Sequence, residues 1–127
     1  MTELHQIYKC EVCGNIVEIL HTGVGTLVCC DKPMLLQVEH EQDEGFEKHL
    51  PALSFEGDKL TVTIGSTLHP MEEAHYIEWI EYIVNGEVFR KHLSPNEKPE
   101  AVFTFKESDG YIVRAYCNVH GLWEIRM

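Results

Sequence analysis

Between Lys59 and Ile64 the chain alternates, with Leu60, Val62 and Ile64 on one side and Thr61 and Thr63 on the other. A period of two is the signature of a half-buried strand. His75 to Val84 is rich in aromatic and β-branched residues and reads as a longer strand. It runs into Asn85-Gly86, after which Glu87 to Leu93 continues as another. Asn-Gly accepts the two positive φ values of a type I′ turn, so the pair predicts a hairpin. Ala101 to Lys106, Tyr111 to Tyr116 and Leu122 to Met127 are further strand candidates. Turn residues separate them at Glu56-Gly57-Asp58, Ser94-Pro95-Asn96 and Ser108-Asp109-Gly110. No segment carries a confident helical period. Short strands at this spacing predict an antiparallel sandwich over residues 49–127.

The first 36 residues have a different texture. Cys10-Glu11-Val12-Cys13-Gly14-Asn15 is followed by a short apolar run, Ile16 to Leu20, then Gly23, Gly25 and Cys29-Cys30. A segment so short buries too little surface to fold unaided, and a metal held by thiolates would staple it. Residues 37–48 are polar and mostly acidic and read as a linker or exposed loop.

Composition narrows the function. The 127 residues are 44% hydrophobic, enough for a packed core, and carry a formal net charge of −11. That balance excludes a nucleic-acid backbone or an anionic membrane surface as partner, since both require a basic face. The N-terminus has no basic region leading into an apolar run, and no apolar stretch reaches membrane-spanning length. The expectation is a soluble cytoplasmic protein, in which clustered cysteines bind metal rather than pair as disulfides.

There are five cysteines, four of them (Cys10, Cys13, Cys29, Cys30) in the first quarter, with Cys117 near the end. Cys-x-x-Cys followed by glycine is a knuckle that aims two sulfurs at one ion and backbone N–H groups at the sulfurs. Cys29 and Cys30 would complete a tetrahedral set, although adjacent cysteines cannot repeat the knuckle, so distorted sulfur angles are expected. On spacing alone a structural zinc ribbon and an iron site are both open, because soft thiolates accept either ion.

Eight histidines are many for this length. His5, His21, His40 and His92 lie in polar contexts and read as surface residues. His49 precedes Leu50-Pro51, His69 and His75 bracket a loop, and His120 follows Cys117 in a second knuckle-like spacing, Cys117-Asn118-Val119-His120-Gly121. Any one of these alone is explained as well by a buried thiol and an ordinary loop histidine. Their combination changes the balance.

The segments Tyr8–Asn15, Leu27–Cys30, Glu47–Pro51, His69–Ile77 and Ala115–Trp123 closely resemble desulfoferrodoxins, the two-iron superoxide reductases, in order and spacing along the whole length. The resemblance implies a desulforedoxin-like iron domain at 1–36 and an immunoglobulin-like superoxide reductase domain at 49–127. It implies one iron at Cys10, Cys13, Cys29 and Cys30. It implies a second held by His49, His69, His75 and His120, with Cys117 as axial thiolate and one position open. Lys48 matches the lysine that attracts superoxide in the family, and Glu47 the glutamate that can ligate the oxidised iron. Ala74 departs from the pattern, since some relatives carry lysine there, which thins the positive field and removes no ligand. A homodimer and a small electron donor such as rubredoxin are further implications.

The implied reaction adds one electron and two protons to superoxide and gives hydrogen peroxide. Lys48 would answer the repulsion that so acidic a chain exerts on an anionic substrate; without the adjoining His49 it would read as an ordinary solvated lysine. Two other readings stay open at this point. One is a non-catalytic iron or zinc electron-transfer or metal-binding module, and the other is superoxide dismutation, which would release O2 and need no reductant.

Overall fold

The computed structural model describes residues 1–40, 50–65 and 69–127. The chain divides into two units, Met1–Val38 and Glu39–Met127.

The first unit is built from five short strands: β1 (Ile7–Lys9), β2 (Ile16–Glu18), β3 (Val28–Cys29), β4 (Lys32–Pro33) and β5 (Leu35–Leu36). β1 lies between β2 and β5 in an antiparallel sheet, and β3 pairs with β4 as a hairpin. Thr2 ties the N-terminus down, its N–H donating to Gly23 O at 2.9 Å while Gly23 N–H donates to its hydroxyl at 2.8 Å. Among the described residues of this unit, the buried apolar side chains are Ile7, Cys10 and Ile19. At ~1.5–3 kcal/mol per fully buried aliphatic side chain, such a core falls far short of offsetting the chain entropy of nearly forty residues.

The second unit holds β6 (Pro51–Glu56), β7 (Lys59–Ile64), β8 (Ile77–Val84), β9 (Glu87–His92), β10 (Glu100–Thr104), β11 (Tyr111–Cys117) and β12 (Gly121–Arg126). They form a three-stranded sheet, β10-β7-β6, and a four-stranded sheet, β12-β11-β8-β9, antiparallel throughout. This is an immunoglobulin-like sandwich. The alternation read in Lys59–Ile64 holds: Leu60, Val62 and Ile64 are fully buried, and they join Ile80, Tyr82, Val84, Val113, Ala115 and Cys117 in one core. The Asn85-Gly86 turn is also as expected, with φ of 51° and 77° and Val84 opposite Glu87. β6 is a strand that the sequence pattern did not single out.

β8 has a second face that is buried as well. There Trp79 stacks on Tyr116, ring centroids 4.6 Å apart and 9° from parallel. Glu81 on that face is fully buried. It accepts from Trp79 Nε1 at 3.1 Å, Arg114 Nε at 3.1 Å and Arg90 Nε at 2.9 Å, so its charge is matched by two guanidinium groups. His40 bridges to Trp123 in parallel register and packs its ring over the indole at 4.5 Å. His40 and His92 are exposed, as read, while His5 is half-buried with φ 72°.

Candidate metal centres

Cys10, Cys13, Cys29 and Cys30 bring their sulfurs within 4.8 Å of one another. The first pair sits on the expected knuckle. Cys10 N donates to Asn15 O at 2.8 Å, Gly14 N to Cys10 O at 3.0 Å, and Gly14 takes φ 83°, a conformation that suits a residue without Cβ. Cys13 N points at Cys10 Sγ at 3.4 Å and Asn15 N at Cys13 Sγ at 3.5 Å. The second pair uses a different device. Cys29 opposes Lys32 across the β3–β4 hairpin, and both turn residues, Cys30 (φ 53°) and Asp31 (φ 60°), are left-handed. A two-residue turn of this kind lets adjacent cysteines reach one point, at a strain of roughly 1–2 kcal/mol per non-glycine residue.

The thiols titrate apart. The Cys10 thiol is lowered to about 6, chiefly by the Cys13 N–H. Cys30 is pushed up to about 12, first by its hydrogen bonding with Cys13. Cys29 is raised, again first through Cys13. All five cysteines are free of disulfides.

The second cluster comprises His69, His75, Cys117 and His120, whose ligating atoms also lie within 4.8 Å of one another. The His75 ring meets His69 edge-on at 4.7 Å and His120 at 5.0 Å. Cys117 Sγ is 3.8 Å from His120 Nδ1. His69 is buried, and its Nδ1 lies 2.7 Å from Pro70 O. A carbonyl only accepts, so the proton sits on Nδ1 and the lone pair of Nε2 is left for a ligand. Cys117 is in the sandwich core, and burial pushes its thiol up, with N–H groups of His120 and Val119 acting the other way. His120 is exposed and marks the open side.

A register shift lies beside the cysteine. Tyr116 opposes Trp79, but Cys117 opposes Ile77, so Glu78 is an extra residue on β8. A bulge of this kind re-aims side chains next to a functional site. After Cys117, Gly121 (φ 86°) closes the turn as Gly14 does after the first knuckle. Glu47, Lys48 and His49 lie outside the described residues.

Three imidazoles and a buried thiolate form a donor set that borderline and soft transition ions accept, and four clustered thiolates form another. Both therefore fit metal. The Cys30-Asp31 turn, the Glu78 bulge and the hydrogen bonds of Asn118 to Ala74 and Tyr76 leave no signal in the hydrophobic pattern of the chain.

The family pattern described as Desulfoferrodoxin, N-terminal domain, matches residues 2–36, and that described as Desulfoferrodoxin matches residues 41–126. The chain belongs to the desulfoferrodoxin family. A desulfoferrodoxin homolog of Archaeoglobus fulgidus is 57% identical over 124 residues, spanning 98% of both chains. The desulfoferrodoxin of Syntrophotalea carbinolica is 54% identical, with 97% of each covered. A superoxide reductase of Pyrococcus horikoshii is 38% identical over 72% of this chain and 95% of its own. Among solved structures, the superoxide reductase of Treponema pallidum superimposes with a TM-score of 0.74 over 97% of both chains at 23% identity, a likeness of fold. The desulfoferrodoxin membership covers both metal clusters, since each lies within one matched segment.

Proposed function

We infer that the chain is a superoxide reductase, which adds one electron and two protons to superoxide and releases hydrogen peroxide without forming O2. The observation that carries this reading is the convergence of His69 and His75, from the connection between β7 and β8, with Cys117 and His120, from the end of β11 and the turn after it. A non-catalytic module built on the four-cysteine ribbon alone would leave these groups unassociated. Family membership and named superoxide reductase relatives support the same reading.

Two iron ions per chain are proposed, one in each cluster. Iron held by the histidine–cysteine cluster would supply the one-electron couple for the reaction. The protein's own groups set the conditions around it. His69 is oriented by Pro70 O, so its Nε2 is presented without rotational search. Cys117 offers sulfur from the apolar core, where a thiolate is poorly solvated and donates strongly. The exposed side at His120 admits a small anion. His49 is proposed as the fourth imidazole, Lys48 as the cation that draws superoxide in, and Glu47 as an alternative carboxylate ligand after oxidation. These three roles rest on the motif Glu47-Lys48-His49 and its match to the family.

A homodimer and a rubredoxin-like one-electron donor complete the proposal. The slight core of the first unit and its exposed Val17, Leu35 and Leu36 favour association. Five free thiols suit the reducing cytoplasm.

Metal analysis with superoxide stoichiometry tests the function. The expected result is two irons per chain, one peroxide per superoxide, consumption of reductant and no O2. Evolution of O2 with half as much peroxide would mean dismutation instead. In the His75→Ala variant the four-cysteine iron should remain and the second iron should be lost.

A further inference from the structure

His75 is held in the second cluster by contacts that its own side chain does not make. Its backbone N–H donates to Glu72 O and its carbonyl accepts from Glu72 N, each at 3.0 Å. The residues on either side are held by Asn118. Tyr76 N donates to Asn118 Oδ1 at 2.9 Å, Asn118 Nδ2 donates to Ala74 O at 3.1 Å, and Asn118 N donates to Tyr76 O at 3.2 Å. The amide orientation is decided by these partners, because Tyr76 N–H requires an acceptor and Ala74 O requires a donor. Cys117–Ile77 is the last register pair between β11 and β8. Directly beyond it, the Asn118 side chain acts as a further ladder partner for a segment that has left the strand.

We propose that Asn118 is the positioning residue that preassembles His75 with Cys117 and His120, by clamping Ala74 and Tyr76 to the turn that carries the other two ligands. The inference rests on the reading of His75, Cys117 and His120 as metal ligands. Asn118 lies between Cys117 and His120 in sequence, so a single turn both supplies two ligands and fixes the backbone of the third. Its amide is suited to this task because it offers an acceptor and a donor on two separate atoms, which aspartate and alanine do not, and which serine offers only on a single oxygen. With the clamp in place, a metal ion meets a formed site and does not have to order the 72–76 loop. Groups that orient ligands from outside the coordination shell typically contribute about 10–100-fold in metal affinity.

The test uses the full-length protein loaded anaerobically with Fe(II), with affinity measured by chelator competition. Asn118→Ala is expected to weaken the second site about 10–100-fold, to shift its ferric absorption band and to leave the four-cysteine iron unchanged. Asn118→Asp keeps the acceptor for Tyr76 N–H but turns a carboxylate oxygen toward Ala74 O, so it should also weaken the second site. Wild-type affinity in Asn118→Asp would overturn the bond to Ala74 O as a holding contact. Wild-type affinity and band position in Asn118→Ala would overturn the proposal, while loss of the second iron in His75→Ala would leave the ligand reading standing. Should Asn118→Ala fail to fold, amide exchange on the wild type decides. Tyr76 N–H is expected to be protected even when the second site is stripped of metal, and exchange at the rate of an open loop amide would defeat the clamp.

Discussion

Cys117 and Gly121 stand opposite each other as the last register pair of β11 and β12, and Gly121 takes φ 86°. The three residues between them make the turn that carries Asn118 and His120. A Cβ added at Gly121 would meet nothing within 4 Å, so substitution there acts through backbone strain alone. Gly121→Ala is expected to cost about 1–2 kcal/mol. Thermal unfolding together with iron analysis checks this. The second site should lose iron and the four-cysteine site should keep it.

Lys48 stands beside the proposed ligand His49 in a chain of formal charge −11. A local cation is worth most where the overall field opposes the substrate. Lys48→Ala is therefore expected to slow superoxide capture about tenfold or more, with iron content unchanged and with a weaker dependence of rate on ionic strength. Pulse radiolysis across a salt series measures both. Equal rates would remove Lys48 from the mechanism.

The four-cysteine site should load more tightly as pH rises. In the metal-free protein at pH 7.5, Cys10, lowered to about 6, is a thiolate, while Cys29, raised, and Cys30, raised to about 12, carry protons. Binding four thiolates then displaces at least the protons of Cys29 and Cys30. Protons compete with the metal, so affinity increases with pH by at least about 100-fold per unit above pH 6.5, and it falls more steeply once acidification reaches the Cys10 thiol. Zn(II) competition titrations at pH 6.5 and 7.5 test the slope. A pH-independent affinity would contradict it.

Glu81 is charged, fully buried and held between Arg90 and Arg114. Removing one partner of a buried ion set leaves an uncompensated charge. Glu81→Ala is expected to destabilise the sandwich by about 3–5 kcal/mol, read from the denaturation midpoint. Retention of wild-type stability would show that the arginines find other compensation.

Much of this molecule was legible from one dimension. The period-two run Leu60-Val62-Ile64 specified a buried strand because alternate side chains must leave opposite faces of a pleat. Asn85-Gly86 specified a hairpin because few residue pairs tolerate two positive φ values. Cys10-x-x-Cys13-Gly14 marked a metal knuckle because a tight turn is a local property of the chain, whereas Cys117-x-x-His120-Gly121 gained meaning only in combination with the other histidines.

Other features depended on contacts between distant residues. Glu81 is a lone carboxylate in the sequence of β8's inner stretch, and its partners Arg90 and Arg114 come from β9 and β11. The bulge at Glu78 exists only in the pairing of β8 with β11, and it brings Ile77 opposite Cys117. Asn118 acquires its partners only when the fold brings Ala74 and Tyr76 beside it. Local sequence determines strand period, turn geometry and the chemical identity of the ligands, because these are short-range steric and electronic properties. Register, and with it which polar group meets which, was decided by tertiary structure, because a hydrogen bond has no meaning for either partner until the fold has closed the distance between them.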